Sequence, residues 1–140
     1  MVKISKLIYT YVCGDILHIG HLKYLESAKR LGDKLVVGVL TEEAIMEKKS
    51  KPTIPFEERL ELIDNLKCVD LAIGQHTYSP ITNIKLLRPS ILVESESHSQ
   101  KDIENAYEVI KEWEGKVVVL PYYKLQSSTT IKQKLKENEK

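Results

Sequence analysis

Hydrophobic positions along the chain fall into two alternating regimes. Five short runs, 6–12 (KLIYTYV), 34–40 (KLVVGVL), 69–73 (VDLAI), 90–94 (SILVE) and 116–121 (KVVVLP), are almost continuous in Val, Ile and Leu. Runs of this length and composition predict strands covered on both faces, as in a parallel sheet. Between them, apolar residues recur at helical spacing. Leu22, Leu25, Ala28 and Leu31 form one stripe ending near Gly32, and Phe56, Leu60, Ile63 and Leu66 form another. Segments 81–89 and 101–115, stopped by Pro89 and Gly115, complete the alternation. Strand and helix in turn predict an α/β fold, with helices on both faces of the sheet and right-handed crossovers.

Composition narrows the picture. A length of 140 residues with 42% hydrophobic content predicts a single domain over 1–140. Lys and Arg number 21 against 20 Asp and Glu, a formal net charge of +1, so no global field draws the chain to nucleic acid or an anionic membrane. Any anion site must be local. Cys13 and Cys68 make no metal-type pair, the first residues carry no signal-peptide pattern, and no apolar run is long enough to cross a bilayer. The expectation is a soluble cytoplasmic protein with neither nucleic-acid nor membrane partners.

One stretch does not fit core packing. The first strand runs out into DILHIGH (15–21), which puts two histidines and a glycine where a helix should begin. In open parallel sheets, ligands bind beyond the carboxyl ends of the strands. A helix start there offers unpaired N–H groups and the positive end of the dipole. Gly20 lets a ligand approach the backbone with no Cβ in the way. His18, Gly20 and His21 therefore predict a polyphosphate site.

The ordered set HxGH (18–21), the lysine loop with PFEER (55–59), VD (69–70) and SSTTIKQKL (127–135) resembles the HxGH nucleotidyltransferases, specifically their cytidylyltransferase-like branch. That resemblance implies a Rossmann-like three-layer α/β/α fold whose five parallel strands run in the order 3-2-1-4-5. It also implies transfer of CMP from CTP to a small phosphate or phosphonate acceptor, with Mg²⁺ accompanying the nucleotide, and a homodimer. An adenylyltransferase using ATP, or a nucleotide-binding subunit without turnover, are the alternatives. In-line attack on the α-phosphorus needs positioning and charge stabilisation more than proton transfer, which suits a site of donors and cations.

Carried over residue by residue, the resemblance makes His18 and His21 donors to the triphosphate, with helix capping as their bland alternative. Lys48 neutralises phosphate unless EKKSK is only a solvated charge run, and Lys51 stands in reserve. Arg59 reaches the nucleotide unless it forms a surface pair with a neighbouring glutamate. Ser128, Thr129 and Thr130 open a second helix N-terminus, as nucleotide ligands, as an N-cap, or as both. Asp15 orients the first loop and helps hold Mg²⁺, with a structural bond to backbone as the alternative.

The chain departs from the family pattern in places. Val12 and Cys13 stand in the Gly and Thr positions ahead of the signature, with the glycine displaced to Gly14. Segments 93–99 (VESESHS) and 122–126 (YYKLQ) replace runs that serve the base and acceptor pocket. Glu94, Glu96, His98 and Lys124 are thereby candidates for acceptor binding, with solvent-facing loop positions as the alternative. Tyr9, Tyr11, Tyr24 and Trp113 are assigned to the core or its rim.

Overall fold

The computed structural model describes residues 5–121 and 133–136. Its strands are β1 (Leu7–Val12), β2 (Lys34–Leu40), β3 (Leu71–Gln75), β4 (Ile91–Ser95) and β5 (Lys116–Leu120). All pair in parallel, in the order β3-β2-β1-β4-β5. The helices are α1 (Ile19–Lys29), α2 (Glu42–Met46), α3 (Phe56–Asp64), α4 (Ile81–Leu87) and α5 (Gln100–Ile110), the last running into a 3₁₀ turn, Lys111–Trp113. This is the three-layer Rossmann-like architecture that the alternation and the resemblance predict.

Strand periodicity divides the core. Ile8, Val37, Val39 and Val93 face one side of the sheet, where Leu25 and Ala28 of α1 and Ile63 of α3 bury their stripe. Tyr9, Tyr11, Val36 and Leu92 face the other, against Ala44 and Ile45 of α2, Ile84 of α4, and Ala106 and Ile110 of α5. Tyr9 is fully buried, and its hydroxyl is satisfied by Gln75 and by Asn83 Nδ2 at 2.9 Å. Gly38 makes room for that ring, since a Cβ there would fall 1.9 Å from the Tyr9 oxygen.

Most bounds fall within a residue of expectation, with larger differences in three places. The third strand starts two residues late, at Leu71, and extends through Gly74 and Gln75. Gln75 is buried because its amide donates to the carbonyls of Thr77 and Tyr78, which an apolar-run reading has no means to see. Helix α1 ends at Lys29, and Leu31 and Gly32 tighten into i→i−3 bonds beyond it. Helix α2 was not anticipated: Thr41 caps it, its Oγ1 accepting from Ala44 N at 3.2 Å.

The strand order reverses between β1 and β4. Ladder pairing there covers only Ile8 with Ile91 and Tyr9 with Leu92. Farther along, side chains take over: Thr10 Oγ1 donates to Val93 O at 3.0 Å, and the Tyr11 hydroxyl donates to Glu94 Oε2 at 2.7 Å. The sheet thus opens at its carboxyl edge where parallel α/β folds place their ligands.

Candidate active site

The loop leaving β1 holds two residues with left-handed backbone in three positions, Gly14 (φ 69°) and Ile16 (φ 52°). Glycine adopts this freely, but a β-branched residue there stores strain of order 1–3 kcal/mol. A Cβ on Gly14 would also meet Ile63 Cδ1 at 2.7 Å. Two clamps hold the loop. The Asp15 carboxylate accepts from Thr53 N at 3.0 Å to each oxygen and from Ile54 N at 2.8 Å. Arg59, fully buried, donates from Nη1 to Cys13 O and Leu40 O, both at 2.6 Å, and from Nε to Ile54 O at 2.9 Å.

Arg59 thus ties the carboxyl ends of β1 and β2 to the entrance of α3. It is no surface partner of a neighbouring glutamate. Its Nη2 is buried with no hydrogen-bond partner. Burial lowers its pKa, while nearby Asp15 and Glu42 oppose that shift.

The clamped loop delivers the chain to α1, where His18 is the N-cap in extended conformation (φ −144°, ψ 179°). His18 Nδ1 accepts from Gly20 N at 2.9 Å, and His21 Nδ1 accepts from His18 N at 3.2 Å. Two imidazoles build the reciprocal capping box usually made by Ser or Thr with Glu. Capping and a functional role do not compete, because each uses a different ring nitrogen. A neutral imidazole whose Nδ1 accepts must carry its proton on Nε2. Both rings therefore present an Nε2–H donor, with ring centroids 4.1 Å apart.

Neutrality is enforced by the surroundings. Desolvation lowers the pKa of His18, and it drives that of His21 down to about 4, helped by its neighbour His18 and resisted by Asp15. One part of the sequence reading changes here. The amides of His18 and Gly20 are spent on the rings, so it is the imidazole N–H groups that extend the positive end of the helix.

The carboxyl end of β4 has another character. Glu94 is completely buried, and its Oε2 accepts from the Tyr11 hydroxyl and pairs with His98 Nδ1. The His98 ring stacks on Tyr11 with centroids 4.8 Å apart and planes 11° from parallel. Glu94 Oε1 has no partner. Burial, reinforced by the Glu94 charge, pushes the Tyr11 hydroxyl far above its ordinary pKa, so it stays a donor.

The remaining candidates are distributed as follows. Lys48 Nζ pairs with Asp102 Oδ2 at 2.7 Å, in the first turn of α5, and lies 4.8 Å from the Tyr78 ring centroid. The Asp102 hydrogen bond raises the Lys48 pKa and lowers that of Asp102. Lys49 Nζ lies 4.0 Å from Cys13 Sγ. Val12 closes β1 and is half-buried. Glu96 is exposed, with its amide bonded to Leu120 O at 3.0 Å. Lys124, Ser128, Thr129 and Thr130 lie outside the described residues. Tyr11 and Asp102 were missed as site residues. Asp102 carried a readable cue, three residues after the N-cap Ser99, whereas Tyr11 had none beyond strand alternation.

Over residues 11–134 the chain matches the cytidylyltransferase-like family. The bifunctional protein HldE of Helicobacter hepaticus is 34% identical over 131 residues, covering 92% of this chain and 26% of its own length. HldE of Hydrogenovibrio crunogenus is 34% identical over 139 residues, covering 96% and 28%. The chain thus spans roughly a quarter of the length of these relatives. Among solved structures, the lipopolysaccharide core biosynthesis protein of Thermoplasma volcanium superposes with a TM-score of 0.74 at 28% identity, covering 87% of this chain and 99% of that one. Pantoate-beta-alanine ligase of Francisella tularensis shares the fold, with a TM-score of 0.62 at 14% identity over 100% of this chain and 72% of that one.

Proposed function

The chain belongs to the cytidylyltransferase-like family of nucleotidyltransferases, and from that premise we propose that it transfers CMP from CTP to a small phosphate or phosphonate acceptor, releasing pyrophosphate. The observation that carries this reading is the pair of neutral Nε2–H donors at the start of α1, set beside the point where strand order reverses. An acceptor oxygen attacks the α-phosphorus in line, the bond to the β-bridging oxygen breaks, and the electron pair leaves with pyrophosphate.

The second pKa of a phosphate monoester is about 6, so such an acceptor arrives largely ionised near neutral pH. No general base is needed. His18 and His21 donate hydrogen bonds to phosphoryl oxygens as charge builds, and neither has to gain or lose a proton. Arg59 is a positioning residue: it holds the strand ends and the strained loop in register, with Nη2 as its spare donor. Lys48 supplies positive charge to the phosphates, which compete with Asp102 for its ammonium. Ser128, Thr129 and Thr130 complete the nucleotide's donors in this proposal.

Mg²⁺ enters with the nucleotide as part of the substrate. Asp15 is already bound to two amides, and among the described residues no group of three His, Cys, Asp or Glu side chains is placed to hold an ion. The triphosphate oxygens are then its main ligands. Pyrophosphate release, measured with CTP and ATP against a panel of phosphate and phosphonate acceptors, tests the proposal. Release with CTP supports it. Release with ATP alone replaces the nucleotide but keeps the chemistry, and release with neither overturns it.

A further inference from the structure

Among the described residues, the donors beside Glu94 are already committed. Tyr11 and His98 both address Oε2, the Ser95 and Ser97 hydroxyls bond each other at 2.8 Å, and the ammonium of Lys48, in the loop after α2, is held by Asp102. Oε1 is left with nothing, on a side chain with no exposure at all. Leaving a charged oxygen unsatisfied in such a place is costly, and buried polar groups in native structures are nearly always paired. Register places Glu94 opposite Tyr11, two positions beyond the last β1–β4 ladder pair and therefore at the open switch point. Among the described residues no donor reaches this oxygen.

We propose that Glu94 Oε1 accepts a hydrogen bond from a hydroxyl or ammonium group on the acceptor, so that the enzyme selects phosphates or phosphonates bearing such a donor close to their anionic end. The inference rests on the transfer reading above and adds the class of acceptor. The two faces of the sheet divide these groups by charge. Glu94 lies on the Tyr11 side of the sheet, the side covered by α2 and α5, while the imidazoles open α1 on the other face. Lys48 and Lys49 follow directly after α2 and reach Asp102 of α5 and Cys13. They bring cations to that same side. An acceptor lying there has its anionic group near the lysines and its donor group at Glu94. Acceptors without the donor leave Oε1 buried and unpaired, which sites built for a hydroxyl or amine reject strongly.

Glu94→Gln is a pointed probe. The Tyr11 hydroxyl and His98 both sit at the Oε2 position, so the amide carbonyl turns toward them and its NH₂ takes the place of Oε1. An acceptor is thereby exchanged for a donor with almost no change in shape. The experiment measures kcat/KM for matched pairs: 2-hydroxyethylphosphonate and 2-aminoethylphosphonate against ethylphosphonate, and glycerol 3-phosphate against propyl phosphate. The expected result is a wild-type preference of about 10- to 100-fold for the donor-bearing member of at least one pair, lost in E94Q, with the nucleotide KM unchanged.

A wild-type enzyme that turns over both members of each pair equally overturns the inference, and that comparison holds even if E94Q fails to fold. Retained preference in E94Q also overturns it. So does a rise in nucleotide KM with acceptor preference intact, which would assign Oε1 to the base while leaving the transfer reading standing. Absence of pyrophosphate with every nucleotide and acceptor removes both readings together.

Discussion

The start of α1 and the end of β4, on the two faces of the sheet beside the strand-order reversal, form two walls that solve opposite problems. At the start of α1 the amides of His18 and Gly20 are satisfied by the two Nδ1 atoms, within four residues of chain, and the Nε2–H donors are left over. At the end of β4 a buried carboxylate is satisfied on one oxygen by residues from β1 and from the loop after β4, and on the other not at all. One wall offers donors and the other offers an acceptor. In the proposed complex the nucleotide's phosphates meet the imidazole donors, and an N–H or O–H of the acceptor meets Glu94. Substrate polarity follows from which protein groups have been left over once the fold has met its own needs.

The largest expected effect separates the walls by rate. His18→Ala and His21→Ala each remove one transition-state donor and should lower kcat by about 10²–10³-fold with the fold retained. Normal rates in both purified variants would end the assignment of the imidazoles. Tyr11→Phe touches only the other wall. It removes a charge-assisted bond to Glu94, which should cost about 1.5–3 kcal/mol of stability by denaturant titration. Nucleotide affinity should stay as in wild type. A loss of affinity for the nucleotide would show that the walls are not independent.

The smallest effect is a titration. His21 has a folded pKa of about 4, below its ordinary 6.5, because burial disfavours the imidazolium. The unfolded chain therefore binds the extra proton first as pH falls. The stability this group contributes is complete above pH 6.5 and is lost progressively as pH falls from there toward about 4. Proton NMR should show the His21 ring unprotonated at pH 5.5, and His21→Gln should flatten the dependence of unfolding free energy on pH across that window. A His21 midpoint near 6.5 would mean that the ring is solvated and that its Nδ1 does not cap the helix.

Much of this protein was readable along the chain. Apolar runs and helical stripes located all five strands and the long helices, because strand and helix periodicities are local consequences of burying one face. The strain at Ile16 and the short helix α2 were not read, since each depends on a few polar contacts. The cue for α2, Thr41 followed by two glutamates, was present but brief. The imidazole pair was found from its motif. Its tautomer came only from seeing that both Nδ1 atoms face backbone amides.

What the sequence by itself determined is the alternation of strand and helix, the near-zero net charge that makes any anion site local, and the placing of two histidines at the first helix start. Tertiary structure alone decided that Arg59 bonds three carbonyls through Nε and Nη1, that Lys48 rests on Asp102, and that Glu94 meets Tyr11 across the switch point. The physical reason is separation along the chain. Tyr11 and Glu94 stand 83 residues apart, and Lys48 and Asp102 stand 54 apart. Only strand order and register bring such groups together, and only then does it emerge which of their atoms is left unpaired.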